Sequence, residues 1–151
     1  MKRLLIFGYG NPGRGDDVLG LLCVEKTVLA DNENVNCRSD MQLQVEHVTD
    51  LQGQNEIIFV DADVSCAEPF EFSTICAQKD DSYTSHALTP AALLYVYQLV
   101  YRRDPPAAFL LRIRGYNFAL GDRLSEKAAK NLELAIRFMD RRYKHSWMLF
   151  D

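Results

Sequence analysis

Apolar residues fall along this chain in short unbroken runs and in longer stretches with helical spacing. Leu4-Leu5-Ile6-Phe7 stops at Gly8, and Ile57-Ile58-Phe59-Val60 stops at Asp61-Ala62-Asp63. Continuous runs of this length, with no polar alternation, predict strands covered on both faces. Further strands are expected over 34–38, over 70–77, with Pro69 marking its start or an edge, and over 109–113, ending near Gly115. Between them, 18–30 is long and apolar enough for a helix against the first strand, with Asp16 or Asp17 as its N-cap. A second helix is expected over 42–52 with Leu43, Val48 and Leu51 facing inward. Thr89-Pro90 pairs a capping hydroxyl with a proline suited to the first helical position, ahead of a helix over 91–101. Ser125 caps a last helix that carries Leu132, Ala135, Ile136, Met139 and Tyr143 on one side. Its final turns hold Arg137, Arg141, Arg142, Lys144 and His145, which suit the negative end of the helix dipole.

Strands alternating with helices predict an α/β fold, a mostly parallel sheet covered on both faces. Ligands of such sheets sit outside the carboxyl ends of the strands, where strand order reverses. Two predicted strands end there in residues able to do chemistry: Gly8 to Asp17 after the first, and Asp61 after the one at 57–60.

A chain of 151 residues suits one domain, 1–151, within the usual range of ~100–150 residues. No repeat, low-complexity tract or linker interrupts it. Seventeen basic and 21 acidic residues leave a formal charge of −4, which argues against nucleic acid as a partner. No apolar run approaches the ~20 residues of a membrane helix, so no membrane association is expected. Met1-Lys2-Arg3 and four apolar residues resemble the start of a secretory signal, but glycines and charges from Gly8 to Asp17 cut it short. Cys23, Cys37, Cys66 and Cys76 form no C-x-x-C pair. Free thiols in a reducing cytoplasm are therefore expected, rather than disulfides or a zinc site.

Gly8-Tyr9-Gly10-Asn11-Pro12-Gly13 matches G-x-G-x-x-G after a strand. A nucleotide-binding oxidoreductase using this loop would need a helix to open at the third glycine. Here Arg14-Gly15-Asp16-Asp17 intervenes and sets two carboxylates where a pyrophosphate would lie. Asp61 and Asp63 are open to two readings: caps for nearby backbone N–H groups, or carboxylates over the cleft. In the second case burial would shift a pKa or call for a cation. His86, just ahead of the 91–101 helix, reads either as a solvated loop residue or as a ligand. With two carboxylates it would suit a divalent ion such as nickel or zinc. His47 and His145 read as surface residues. No nucleophile elbow and no H-E-x-x-H is present, and Ser85 beside His86 rarely could face it as a triad with Asp61.

Taken together, these segments resemble the [NiFe]-hydrogenase maturation endopeptidases. The run Gly8-Tyr9-Gly10-Asn11, then Asp16-Asp17 and Gly20, is similar to that family's opening G-x-G-N-x-x-x-x-D-D/E-x-x-G. Asp61-Ala62 at a strand end resembles its D-A, and Ser85-His86 ahead of Pro90 resembles its histidine segment. Arg114 to Phe118 with Gly121 to Ser125 looks like the closing segment of one branch. The resemblance implies a three-layer α/β/α sandwich around a five-stranded sheet with one antiparallel strand. It also implies cleavage of a C-terminal peptide from a nickel-loaded hydrogenase large-subunit precursor by a cytoplasmic monomer. Asp17, Asp61 and His86 then become the catalytic and nickel-contacting residues, expected to meet across one cleft, and Gly10, Asn11 and Asp40 become substrate-binding residues. The nickel would arrive with the substrate, leaving the isolated protein's site empty, and a non-catalytic nickel- or precursor-binding maturation factor would share these features. Asp17 stands where many members carry Glu, Val18 replaces a common Gly, and Asp40-Met41-Gln42-Leu43 occupies the place of a D-G-G-T segment.

Overall fold

A computed structural model of the chain describes residues 2–79 and 88–144. In it, five strands form one sheet: β1 (Leu4–Tyr9), β2 (Val35–Asp40), β3 (Glu56–Asp63), β4 (Phe70–Ile75) and β5 (Ala107–Arg114). Their order is β2-β1-β3-β5-β4. All neighbouring pairs are parallel except β4 with β5, so the one antiparallel strand lies at the edge, directly after Pro69.

The helices are α1 (Leu19–Lys26), α2 (Val48–Leu51), α3 (Pro90–Tyr101) and α4 (Glu126–Tyr143). The two-residue period of the strands sorts the core into two layers. Leu4, Ile6, Ile58 and Val60 pack with Leu19 and Cys23 of α1 and Leu132, Ala135 and Met139 of α4. Leu5, Phe7, Ile57 and Phe59 face the other way, onto Val48 and Leu51 of α2 and Leu93 and Leu94 of α3. Both sides of β1 and β3 are thus covered, which is why their sequences carry no polar alternation. The architecture is the α/β/α sandwich that the resemblance implied.

Both predicted caps are present: Thr89 Oγ1 accepts the Ala92 N–H at 3.1 Å, and Ser125 Oγ accepts the Ala128 N–H at 3.2 Å. Two helices differ from expectation. The stretch 18–30 divides into a 3₁₀ turn (Gly15–Val18), α1, and a second 3₁₀ turn (Val28–Asp31). The break falls at buried Thr27, which is extended and bonds through its hydroxyl to Leu29 N–H and to Asp140 on α4. That tertiary tie outweighs helix continuation. Neither Asp16 nor Asp17 is an N-cap, because the turn begins after Arg14 and both carboxylates bond elsewhere. Over 42–52 only a 3₁₀ turn (Val45–His47) and the single turn of α2 are helical, although Leu43, Val48 and Leu51 are buried as expected.

Among the described residues no helix is long and apolar enough to cross a membrane. All four cysteines are free, Cys23 and Cys66 buried and Cys76 exposed.

Candidate active site

From β1 the chain moves to β2 on one side and then returns to place β3 on the other. The order therefore reverses between β1 and β3, and in sheets of this kind ligands sit outside the carboxyl ends at such a reversal. Tyr9 and Gly10 leave β1 there, and Asp61 lies near the end of β3.

Asp17 reaches the same place because two glycines let backbone approach backbone. A Cβ on Gly20 would sit 2.5 Å from the Val60 carbonyl oxygen and 2.7 Å from that of Tyr9, so only glycine lets α1 start this close to β1 and β3. Gly10, at φ +154°, has the Asp17 carbonyl oxygen 1.9 Å from where a Cβ would stand. Asp17 Oδ2 then accepts the Asn11 N–H at 2.7 Å. Asn11 shapes the rest of the loop, its Oδ1 accepting the Gly13 N–H at 2.8 Å and its carbonyl the Arg14 N–H at 3.2 Å. The loop's leading amide is therefore satisfied by the protein's own carboxylate rather than offered to a phosphate, which disfavours the oxidoreductase alternative.

Asp61 is half-buried. Burial first, and the Asp17 carboxylate second, push its pKa up to about 7, against the smaller downward pull of the Ala62 N–H and the Tyr9 hydroxyl that donate to it. Burial and the charges of Asp61 and Asp17 likewise drive the Tyr9 hydroxyl far above its usual value. Tyr9, Asp17 and Asp61 thus form one electrostatically linked group, brought together from two neighbouring strands and the turn that leads into α1.

Asp63 lies on the same side of β3 but has the other fate. Its Oδ1 accepts from Ser65 N–H at 2.7 Å, Ser65 Oγ at 2.9 Å and Cys66 N–H at 3.0 Å, and Arg112 approaches its Oδ2 at 3.4 Å. Burial raises its pKa, but these bonds and Arg112 outweigh that and hold it low. Asp63 is a turn cap, whereas Asp61 is coupled to Asp17 and Tyr9.

Asp16, beside Asp17 in sequence, is fully buried. Its Oδ2 accepts the N–H groups of Tyr116 and Asn117 at 2.7 and 3.0 Å and the Ser125 hydroxyl at 2.8 Å, while Oδ1 accepts the Ser125 N–H at 2.7 Å. Burial opposes the charge, yet the hydrogen bonds prevail and its pKa falls. Asp16 pins the 116–125 segment to the site loop and takes no part in the cleft.

Asp40 ends β2 in register with Tyr9, its carbonyl accepting the Gly10 N–H at 3.2 Å. It lines a cleft of about 510 Å³ with Asn11, Arg14, Asp17, Met41 and Gln44. His47, expected at the surface, instead meets the Phe7 ring edge-on at 4.8 Å and reaches Asp40. Sequence reasoning missed His47 and Tyr9; an aromatic held between two glycines at a strand end was the available signal for Tyr9. His86, with Ser85 and His145, lies outside the described residues. Among the described residues no three His, Cys, Asp or Glu side chains are grouped to hold a metal ion.

No family model matches the sequence, and no curated protein matches it closely. Solved structures do match. The hydrogenase maturating endopeptidase HybD from E. coli superimposes with a TM-score of 0.76 at 19% identity, over 96% of this chain and 94% of that one. The [NiFe] hydrogenase maturation protease HycI from Thermococcus kodakarensis KOD1 gives 0.69 at 21%, over 93% and 91%. Over nearly its whole length, then, the chain has the fold of these hydrogenase maturation endopeptidases.

Proposed function

We propose that the protein is an endopeptidase that removes a C-terminal peptide from the nickel-loaded large-subunit precursor of a [NiFe] hydrogenase. One observation carries this reading: Asp17 and Asp61 lie together at the switch point of the sheet, with the Asp61 pKa pushed up to about 7. A carboxyl group that exchanges its proton near neutrality can take one from an attacking water and return it to the departing amine. The Tyr9 hydroxyl, donating to Asp61, orients that carboxyl group. The likeness of the fold to maturation endopeptidases supports the substrate class.

Nickel enters as part of the substrate. Burial and carboxylate repulsion, the causes that raise the Asp61 pKa, are both relieved by a cation, so Asp17 and Asp61 suit a precursor-borne ion with His86 as a third contact. Such an ion would position the scissile carbonyl and polarise it. In this reading the enzyme works as a cytoplasmic monomer, where its free thiols stay reduced.

The test is to incubate the protein with nickel-loaded and nickel-free precursor and weigh the products. Shortening of the nickel-loaded form alone is expected. Shortening of both would keep the peptidase and remove the nickel requirement. Binding without shortening of either would replace the enzyme with a non-catalytic maturation factor.

A further inference from the structure

His47 takes no part in the chemistry above, yet both of its ring nitrogens are engaged. Its Nδ1 accepts the Gln44 N–H at 2.9 Å, and its Nε2 lies 3.2 Å from Asp40 Oδ2. We propose that His47 is a positioning residue that fixes the Asp40 carboxylate as an acceptor for N–H donors of the substrate chain. The inference rests on the endopeptidase reading and adds a support for Asp40 in the cleft that Asp17 also lines.

The backbone decides which ring nitrogen carries the proton. An amide N–H aimed at Nδ1 requires a lone pair there, so the neutral ring bears its hydrogen on Nε2 and donates it to Asp40. Phe7 restrains the ring further, in a T-shaped contact with the planes 66° apart. Asp40 is restrained on its other side too, where Oδ1 accepts the Met41 N–H at 2.7 Å.

The exposures show which way the pair faces. The His47 side chain is 14% accessible and that of Asp40 is 43%. The imidazole is the buried support, and the carboxylate is the part presented to the cleft. Two of its acceptor sites are occupied, which leaves lone pairs for a ligand. Among the residues lining that cleft, Asp17 and Asp40 outnumber Arg14, so donors rather than acceptors are favoured there. A peptide N–H or a basic side chain of the bound precursor fits this chemistry.

A purely structural role, capping the Val45–His47 turn through Nδ1, makes a different prediction. His47→Asn keeps a polar atom near the Nδ1 position but does not reach Asp40. His47→Gln places an amide donor near the Nε2 position. With nickel-loaded precursor, His47→Asn should raise KM about tenfold and leave kcat within about twofold. His47→Gln should recover most of that loss. Asp40→Ala should raise KM similarly, and adding His47→Asn to it should bring no further rise. In the unmodified protein, ¹⁵N imidazole shifts should report the Nε2–H tautomer.

An unchanged KM in folded His47→Asn, a fall in kcat alone, additive effects in the double variant, or an Nδ1–H tautomer would each overturn the proposal. If the unmodified protein cuts neither form of the precursor, the endopeptidase reading fails and the substrate role falls with it. If it cuts normally and His47→Asn matches it, only the His47 proposal fails.

Discussion

Replacing Asp61 with Asn should make the folded protein more stable at neutral pH while abolishing processing. In the fold the Asp61 carboxyl group keeps its proton until about pH 7, whereas an unfolded chain releases it near its ordinary 3.8. Between those values the unfolded state binds fewer protons, so stability falls as pH rises. The gap in pKa corresponds to about 4 kcal/mol at pH 7 and about 0.5 kcal/mol at pH 4. Partial exposure to solvent screens part of this for a half-buried group, leaving roughly 2–4 kcal/mol at neutrality. Asn carries no charge, and its Oδ1 can still accept from the Tyr9 hydroxyl. Urea melts at pH 4.5 and pH 7.5 measure the difference directly. Asp61→Asn should gain stability over the unmodified chain at pH 7.5, and most of the gain should vanish at pH 4.5. A variant no more stable at pH 7.5, or a gain equal at both pH values, would falsify the placement of Asp61 in a buried, repulsive site. Retained processing would remove its catalytic role.

The same physics extends to neighbouring residues. Tyr9→Phe deletes a bond that lowers the Asp61 pKa, so the acidic limb of the pH–rate profile should move to higher pH, with a loss in rate of about tenfold; an unmoved profile counts against the contact. Asp16→Asn sets an amide donor against at least one buried N–H and should cost about 2–4 kcal/mol at pH 7. Because the Asp16 pKa is lowered in the fold, its contribution is present above about pH 4 and is lost as pH falls through the folded value, so the penalty should shrink in acid melts. Burial and Asp140 push the Cys23 thiol up to about 12, so iodoacetamide should label exposed Cys76 while sparing Cys23, with processing intact; inactivation by a single modified thiol in folded protein would contradict this.

Much of the scaffold was legible in the residues themselves. The runs at 4–7 and 57–60 announced strands buried on both faces, and Thr89 and Ser125 announced the starts of α3 and α4. The inward stripe of α4 was also readable, with Leu132, Ala135, Met139 and Tyr143 all buried. Local periodicity failed where a distant partner competed with the local rule. Thr27 ends α1 because its hydroxyl is engaged by Asp140, more than a hundred residues away. His47 looked like a surface residue until β1 and β2 brought Phe7 and Asp40 beside it.

Residue spacing alone is enough to say which segments bury apolar surface, since burial follows from periodicity within a few residues of the chain. The same local reading put the acids Asp16, Asp17, Asp61 and Asp63 at strand and turn ends, with Asp16, Asp17 and Asp61 in an order that resembles the maturation endopeptidases. The environment each of these acids meets came from the tertiary fold. Asp16 and Asp17 are adjacent and identical, yet one is fully buried and spent on the 116–125 segment while the other lines the cleft. Asp61 and Asp63 share one side of β3, yet burial and Asp17 raise one pKa while Ser65, Cys66 and Arg112 lower the other. A carboxyl group's charge state depends on the donors, charges and water within a few ångströms of it, and in a folded chain those neighbours come from strands and loops that sequence distance does not foretell.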